Sequence, residues 1–575
     1  MLIKDSRERM KSWINAQLIG PSPYMGISED EGLFIKGVNP IDRFPCGAIY
    51  PIFEGEGEDP SDAVDDEITK RYDHDPESIW SDSAYTDVYW RKHGEGWIIT
   101  VSLSNQQRMT AGSQNITDEA KERAEKTFFE ARFILRIIEG EAGNYLSADN
   151  CLLDDEEQEI ELQYKNRKVY AVGHGTGVDW KADKSGAIKY ISTESIPTAE
   201  VPQITTTNTG YEKTLKLGFL AGAPDNKNEV IEKLTEFIHG YGDWINEQEK
   251  EVSKFKQDDK LAGARITNRM RKAQERMGLG IELLNNDDEA LLAFSLANQV
   301  ILNQMMQQNG AENQTKVYAW RPFQLAFLLT VIESSTNSES RYRDLVDLIW
   351  FPTGGGKTEA YLGLIAYAII LRRLKYPDTS GGTAALMRYT LRLLAKDQFL
   401  RAARMICALE LIRRGRDDLG DAPISIGMWV GGDASPNKYD EALEKVNEAR
   451  ETGREPSLVI DKCPWCGKPF SITSGSYRSG KDHFDFICTN EFCEFGGSDK
   501  QLPCNVVDDY LYDNPSTLII STIDKFARMP WEKRVGNFFG KPNNRPPELI
   551  IQDELHLISG ALGSINGLNG KIAVN

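Results

Sequence analysis

The sequence has 575 residues, more than one hydrophobic core ordinarily organises, so we expect several domains. Its net charge of -20 excludes a protein that coats a polyanion over its whole surface, because phosphate binding requires Lys and Arg. Any nucleic-acid contact must therefore rest on local basic patches. The chain starts without the features of a signal peptide, and its longest apolar run, residues 360–370, is too short to span a bilayer, which predicts a soluble, cytoplasmic protein.

Residues 1–222 are predicted to form a β-rich N-terminal domain. Short apolar segments bounded by Gly, Pro or Asp are typical of strands. Such segments occur at residues 32–37, 47–55, 96–103 and 168–175.

Two acidic runs interrupt this region. Residues 54–87 have no consistent apolar period, so they are predicted to be a solvated loop. An alternative is that this acidic loop mimics the charge of a nucleic-acid strand and occupies a basic groove until DNA displaces it. The second run, residues 154–161, is predicted to be a loop that leads into a strand.

Residues 223–316 have the apolar period of helices and form a predicted helical segment. Within it, residues 260–278 contain six Lys or Arg and are predicted to form a basic helix. Its basic face is expected to be solvated, with a phosphate-contacting face as the alternative.

From residue 317 to residue 575, short β-branched runs alternate with helical patterns. This alternation predicts an α/β RecA-like core, in which a parallel sheet is covered by helices on both faces. The strands are predicted within residues 344–350, 383–390, 516–522 and 548–552.

The segment FPTGGGKTEAYLGL, residues 351–364, has the pattern of a phosphate-binding loop between a strand and a helix. Glycine lets the backbone turn tightly and aim N–H groups at phosphates. The residues assigned to this cradle are Thr353, Gly354, Gly355 and Gly356. Lys357 would hold the β- and γ-phosphates of ATP, and Thr358 would coordinate Mg²⁺. Phe351 replaces the first Gly of the general pattern.

Two further segments complete the predicted nucleotide site. ELIIQDELHLISG, residues 548–560, is an apolar strand that ends in two acids, where Asp553 would hold Mg²⁺ and Glu554 would act as general base on the attacking water. The sequence Asp-Glu-Leu-His resembles the DExH signature of helicases, in which the histidine, here His556, couples the ATP site to the nucleic-acid site.

An Arg-x-x-Gln pattern precedes the phosphate-binding loop and resembles the adenine-recognition motif of superfamily 2 helicases. Arg321 and Gln324 occupy its two positions. The amide of Gln324 can donate and accept hydrogen bonds together, so it would pair with the adenine edge. The alternative is a helix-capping or surface role.

Nucleic-acid contacts are predicted at two strand ends that resemble further motifs of the family. The residues concerned are Arg388, Thr390 and Arg392 in the segment 385–402, and Thr522 and Lys525 in the segment 516–527. Simple loop chemistry is the alternative for the second segment.

Four cysteines predict a zinc-ribbon insertion at about residues 456–508. Cys463 and Cys466 form one closely spaced pair, and Cys488 and Cys493 form another, which is the spacing that a tetrahedral Zn²⁺ site needs. A site closed by four thiolates cannot activate water, so we expect structural zinc.

Taken together, these motifs resemble the helicase subunit of the DISARM anti-phage systems, a superfamily 2 DExH-type helicase. The segments that carry the resemblance are 39–51, 172–180, 350–361, 387–398, 463–467, 514–527 and 553–564. The resemblance implies an ATP-dependent helicase or translocase that acts on invading phage DNA. It also implies a partner protein with a DUF1998 domain, and a methyltransferase that marks self DNA.

One departure from the family pattern affects the expected activity. The residues after 560 supply no second RecA-like domain, which in superfamily 2 provides the arginine fingers, so we expect this chain alone to hydrolyse ATP poorly. The alternative to a motor is a nucleotide-gated scaffold that grips DNA and recruits effectors without unwinding it. Both functions need the same phosphate-binding loop.

Overall fold

The computed structural model describes most of the chain between residues 73 and 555, together with three short N-terminal strands. The described ranges after those strands are 73–93, 96–109, 116–129, 131–138, 140–145, 153–194, 210–309, 316–349, 355–389, 392–430, 435–497, 500–527, 529–540 and 543–555. The chain divides into two compact units. The first unit is Met1–Gln203 with Phe255–Gly263, and the second unit is Ile204–Lys254 with Ala264–Asn575.

The first unit is β-rich, as predicted. Its described strands are β1 (Leu2–Ile3), β2 (Ile14–Ile19), β3 (Ile52–Phe53), β4 (Asp73–Ile79), β5 (Ala84–His93), β6 (Gly96–Asn105), β7 (Arg108–Met109), β8 (Arg132–Ile137), β9 (Ala142–Gly143), β10 (Gly177–Ala182) and β11 (Ile188–Glu194), and its described helices include α1 (Ile116–Lys126) and α2 (Asp155–Tyr164). Two antiparallel sheets have the orders β4-β5-β6-β1-β9 and β10-β11-β8-β2, and β3 pairs with β7. Side chains of both sheets share one apolar cluster, which includes Trp90, Ile99, Leu135 and Ile191.

Part of the acidic stretch forms a β-hairpin, so the predicted loop is wrong for residues 73–87. Strands β4 and β5 pair in register from Asp73 opposite Trp90 to Ile79 opposite Ala84. Ala84 and Trp90 are buried on one face of β5, a face that charge counting along the sequence does not reveal. Residues 54–72, which carry the rest of the predicted loop and of its charge-mimicking alternative, lie outside the described residues.

The second acidic run is helix α2, so the predicted loop at residues 154–161 is also wrong. The Asp154 carboxylate accepts hydrogen bonds from the backbone N–H groups of Glu156 and Glu157, at 3.0 and 2.9 Å. The Glu157 side chain accepts one from the backbone of Asp154 in return, at 3.0 Å. This capping box, with acids in the first turn, favours a helix start.

Among the other strand predictions for this unit, residues 96–103 lie within β6 and are confirmed. Residues 168–175 form no strand. Tyr170 and Ala171 pack against the apolar cluster, whereas Val169 and Val172 are exposed. The predicted strands at 32–37 and most of 47–55 lie outside the described residues.

The second unit combines helices with a parallel sheet. Its helices are α3 (Glu212–Leu215), α4 (Leu217–Ala221), α5 (Lys227–Ser253), α6 (Gln257–Asn286, which starts in the first unit), α7 (Asp288–Asn309), α8 (Pro322–Thr336), α9 (Lys357–Lys375), α10 (Arg392–Arg414), α11 (Tyr439–Thr452), α12 (Asp508–Asp513) and α13 (Ile523–Phe526), with 3-10 helices at Pro377–Thr379, Asp417–Leu419 and Lys533–Phe539. The predicted helical pattern of residues 223–316 is confirmed by α5, α6 and α7. No helix of the described residues is long and apolar enough to cross a membrane.

The second unit contains a sheet of five parallel strands. The strands of this unit are β12 (Ala385–Tyr389), β13 (Ile426–Trp429), β14 (Tyr477–Ser479), β15 (Phe484–Phe486), β16 (Cys504–Asn505), β17 (Leu518–Thr522) and β18 (Leu549–Gln552). The order in the parallel sheet is β16-β13-β17-β12-β18. Helices α7 to α10 and the sheet contribute to one apolar core, with Phe294, Leu329, Ile365, Ile406 and Ile520 among its buried members. The parallel sheet with helices is confirmed, and its carboxyl edge carries the segments discussed below.

The strand predicted at residues 344–350 is not formed in the described part of this segment. Residues 345–349 have no regular structure. Their large apolar side chains are exposed: Leu345 by 54%, Val346 by 94% and Leu348 by 68%. Asp347 instead accepts two hydrogen bonds from the buried guanidinium of Arg276, at 2.5 and 2.8 Å. The charge of Arg276, one of the six basic residues of the predicted basic helix, is therefore neutralised by Asp347.

A buried arginine ties helix α9 to the start of β18. Arg372 is 2% exposed and pairs with Glu548 at 2.7 Å. Its other guanidinium hydrogen bonds go to carbonyl oxygens, those of Ser380, Gly381, Thr383, Arg545 and Pro546. The Arg372 side chain thus holds three chain segments together: helix α9, residues 380–383 and residues 545–548.

We expect Arg372→Ala to lower the free energy of unfolding by about 3–5 kcal/mol, because it leaves a partly buried carboxylate and several carbonyls without this partner. Denaturant unfolding measures this change. Arg416→Ala is the matched control, since Arg416 pairs with Asp418 at the surface and such pairs contribute under about 1 kcal/mol. Equal losses in the two variants would contradict the structural role of Arg372.

Candidate nucleotide and metal sites

The end of the predicted phosphate-binding loop, Gly355 and Gly356, leads directly into helix α9. Gly356 has φ +90°, a left-handed conformation that glycine adopts without strain, and a Cβ at this position would lie 2.9 Å from Nε2 of Gln324. Lys357 and Thr358 open the helix, where free backbone N–H groups and the helix dipole attract anions. Residues 351–354, including Thr353 and Gly354, lie outside the described residues.

The Arg-x-x-Gln segment contacts this loop. Arg321 Nη1 donates to the carbonyl oxygen of Gly355 at 2.5 Å, and Gln324 Nε2 donates to that of Gly356 at 2.7 Å. Gln324 Oε1 accepts from the backbone N–H of Arg321 at 2.7 Å, which is the capping role left open above. An adenine contact by Gln324 would use the second N–H of Nε2 or the second lone pair of Oε1, since each atom has one of its two hydrogen bonds engaged here.

Asp553 and Glu554 follow β18 at the carboxyl edge of the sheet. The backbone N–H of Asp553 donates to the carbonyl oxygen of Arg388, at 3.1 Å, at the end of the neighbouring strand β12. Glu554 has φ +51°, which is rare for a residue with a side chain and costs backbone energy. Such strained residues often cluster at functional sites. His556 lies outside the described residues.

These segments line one cavity of about 610 Å³. Its walls include Met305, Lys316, Ala319, Arg321, Gln324, Gly355, Gly356, Lys357, Thr358, Glu359, Gln398, Arg401, Asp553 and Glu554. The structure therefore brings the predicted phosphate, magnesium and base residues together, although they are far apart in sequence. A cavity of this size and polarity suits a small charged ligand.

Sequence reasoning missed two residues of this site. Arg401, on α10, pairs with Glu359 and lies 3.4 Å from Oγ1 of Thr358. Tyr361, one turn into α9, donates to Oδ2 of Asp553 at 2.7 Å. Burial, followed by the charge of Asp553, raises the pKa of Tyr361, so its hydroxyl keeps its proton at neutral pH. The spacing Gln398-x-x-Arg401 places both side chains on one helix face, a signal that was available in the sequence.

The predicted nucleic-acid contacts are placed unevenly. Arg388 ends β12 half-buried, its guanidinium 5.7 Å from the ring centroid of Phe526, and burial lowers the pKa of this group. Its Nε has no hydrogen-bond partner among the described atoms. Thr390 lies outside the described residues, and of Arg392 only the backbone, at the start of α10, is described.

Thr522 and Lys525 are buried, in contrast to the exposed contacts that were expected. Thr522 is 0% exposed at the end of β17. Lys525 is 6% exposed, and its Nζ lies 2.5 Å from Oδ2 of Asp508. Burial raises the pKa of Asp508 to about 6, while the neighbouring Lys525 charge opposes this shift. In this arrangement neither Thr522 nor Lys525 is available to a phosphate, because helix α13 turns the lysine inward.

The four predicted zinc ligands lie together. All four sulfur atoms, those of Cys463, Cys466, Cys488 and Cys493, are within 4.8 Å of one another. The Sγ atoms of Cys466 and Cys488 are 3.5 Å apart. Tetrahedral zinc with Zn–S bonds of about 2.3 Å needs sulfurs about 3.8 Å apart, so this donor set fits a structural Zn²⁺. Among the described residues, His483 and Cys504 do not join the cluster.

The cysteine cluster is attached to the helix that carries Arg401. Arg404 Nε donates to the carbonyl oxygen of Pro464, inside the first cysteine pair, at 3.0 Å. The Arg414 guanidinium lies 4.8 Å from the ring centroid of Phe495, beside the second pair. Helix α10 therefore connects the metal-type cluster to the cavity.

The second unit is a parallel α/β domain in which helix α9 starts directly after a phosphate-binding loop pattern, and in which an insertion carries a four-cysteine cluster. Among curated proteins the chain is similar to DISARM protein DrmA of Bacillus paralicheniformis, with 33% identity over 498 residues. The match covers 75% of this chain and 44% of that protein, so the chain spans less than half of its relative's length. No protein-family model matches the chain. The resemblance to a DISARM defence protein is confirmed over the aligned region.

Proposed function

We propose that residues 317–575, within the second unit, are the first RecA-like domain of an ATP-dependent DNA helicase or translocase in a DISARM-type defence system. The observation that carries this proposal is the single cavity lined by Lys357, Thr358, Asp553 and Glu554. In this proposal the protein acts on phage DNA beside a partner with a DUF1998 domain. ATP, Mg²⁺ and Zn²⁺ are its cofactors.

The chemistry of the cavity walls supports ATP binding. The N-terminus of α9 and the ammonium of Lys357 supply positive charge for the phosphates. Arg321 and Gln324 hold the loop carbonyls and border the same cavity, which supports their role in adenine recognition. Oε1 of Gln398 is buried without a hydrogen-bond partner among the described atoms, so it can accept one from a ligand hydroxyl or a bound water.

Hydrolysis would use the acidic end of β18. The hydroxyl of Thr358 and the carboxylate of Asp553 are the oxygen donors that Mg²⁺ prefers, and both touch the hydroxyl of Tyr361. When bound, Mg²⁺ neutralises charge that develops on the phosphates. Glu554 would take the proton of the attacking water, and Arg401 is a cation within the cavity that this unit supplies itself.

Glu554→Gln is expected to bind ATP as the wild type does and to hydrolyse it at least about 100-fold more slowly, because an amide cannot take the proton from water. Single-turnover hydrolysis and binding of a fluorescent ATP analogue measure the two steps separately. Loss of nucleotide binding in this variant would contradict the assignment of Glu554 as base.

The motor and the scaffold predict different outcomes on DNA. A motor displaces a labelled strand, or a protein block on one strand, only while ATP is hydrolysed. A nucleotide-gated scaffold binds DNA with ATP yet displaces neither. Strand and block displacement by the full-length protein, with Glu554→Gln as the hydrolysis-deficient control, therefore tests this choice.

A further inference from the structure

Two buried tyrosines meet the predicted magnesium ligands. The hydroxyl of Tyr361 lies 2.7 Å from Oδ2 of Asp553 and 3.2 Å from Oγ1 of Thr358. The hydroxyl of Tyr389, at the end of β12, lies 3.4 Å from that of Tyr361. Tyr361 and Tyr389 are 5% and 1% exposed, so water competes poorly for these contacts.

Both oxygens of the Asp553 carboxylate are thereby oriented. Oδ1 accepts from the backbone N–H of Glu554 at 2.9 Å, and Oδ2 accepts from Tyr361. The Tyr389 hydroxyl also hydrogen-bonds this carboxylate. The two carboxylate oxygens have four lone pairs between them, so these three hydrogen bonds leave one for a cation. Because Tyr361 belongs to α9, its hydroxyl also ties the end of β18 to the helix that carries Thr358.

We propose that Tyr361 is a positioning residue that presets Asp553 and Thr358 for a divalent cation before the nucleotide complex forms. The inference rests on the proposed ATP site. The hydroxyl touches neither nucleotide nor water nucleophile in this role. It keeps the carboxylate in one orientation, so less conformational freedom is lost when the cation arrives. Tyr389 supports the Tyr361 hydroxyl from the neighbouring strand.

Cation-dependent nucleotide binding separates this role from general stability. Binding of a fluorescent ATP analogue is measured in EDTA and then across a Mg²⁺ titration, on the full-length protein. Tyr361→Phe is expected to keep the wild-type affinity for the analogue in EDTA. Its Mg²⁺ midpoint, the Mg²⁺ concentration at which half of the increase in affinity is reached, is expected to rise about tenfold, since a hydrogen bond to a charged group is lost. An unchanged Mg²⁺ midpoint would overturn the proposal.

Tyr367→Phe is the matched control. Tyr367 is buried on the same helix. Its hydroxyl lies 2.7 Å from the hydroxyl of Thr336, which is not a predicted magnesium ligand. This variant is expected to keep the wild-type Mg²⁺ midpoint, and a shift equal to that of Tyr361→Phe would overturn the proposal.

Three further outcomes are decisive. If Tyr361→Phe does not fold, Tyr389→Phe replaces it, where a raised midpoint supports the role and a wild-type midpoint overturns it. If the wild-type protein binds no nucleotide with or without Mg²⁺, the proposed ATP site fails, and this inference fails with it. If Mg²⁺ tightens nucleotide binding by the wild type and the Mg²⁺ midpoint of Tyr361→Phe is unchanged, the role of Tyr361 is rejected while the proposed ATP site stands.

Discussion

Lys357→Ala is expected to abolish ATP hydrolysis by the full-length protein, a loss of at least about 1,000-fold, while the fold stays intact. The side chain opens α9 at the cavity wall and is the ammonium that would hold the β- and γ-phosphates. Truncation removes this charge from the place where negative charge develops during phosphoryl transfer. Steady-state phosphate release measures the loss, and thermal unfolding checks the fold.

The control for this variant is Lys184→Ala, which removes an equal charge from an exposed turn of the first unit. It is expected to hydrolyse ATP at the wild-type rate. Turnover near the wild-type rate in Lys357→Ala would reject the ATPase assignment. Loss of turnover in both variants would show that net charge, and not the position of Lys357, is what matters.

The purified protein is expected to hold about one Zn²⁺ per chain, and Cys463→Ser is expected to lose it together with the fold of the insertion. Structural zinc binds with about 10–16 kcal/mol in finger peptides, so one lost thiolate removes much of what orders the region. Cys463 is fully buried, and the loop that contains it receives the hydrogen bond from Arg404. We therefore also expect weaker ATP binding, because α10 carries Arg401 as well.

Metal analysis and ATP-analogue binding test the two parts of this prediction. Cys504→Ala is the control, since Cys504 is buried in β16 outside the cluster, and it is expected to keep one Zn²⁺. A wild-type protein without zinc, with freely titratable thiols, would contradict the site. If Cys463→Ser loses zinc but keeps the wild-type ATP affinity, the zinc site is supported and its link to the cavity is rejected.

Local patterns allowed the cysteine cluster and the sheet strands to be predicted. Cys463 and Cys466 form a tight pair whatever the remaining fold does, and three of the five parallel strands, β12, β17 and β18, lie where short apolar runs predicted them. Residues 344–350 have the same kind of run, yet residues 345–349 form no strand. An apolar run predicts burial only where a partner surface exists, and a single sequence does not show that surface.

Contacts between distant segments could not be predicted. The sequence shows that Tyr361 follows the phosphate-binding loop, but only the packing of α9 against β18 brings it to Asp553. For Lys525, the sequence likewise did not show the contact that the fold makes. Its place after a strand suggested an exposed contact, whereas α13 turns it toward the buried carboxylate of Asp508.

ATP turnover of the full-length, zinc-loaded protein, measured against DNA concentration at saturating Mg²⁺, tests the central claim most directly. We predict Mg²⁺-dependent hydrolysis that rises several-fold with DNA and disappears in Lys357→Ala. Absence of turnover at millimolar ATP, with DNA present and the protein folded, would contradict the assignment of the cavity as the ATP site of a DNA motor.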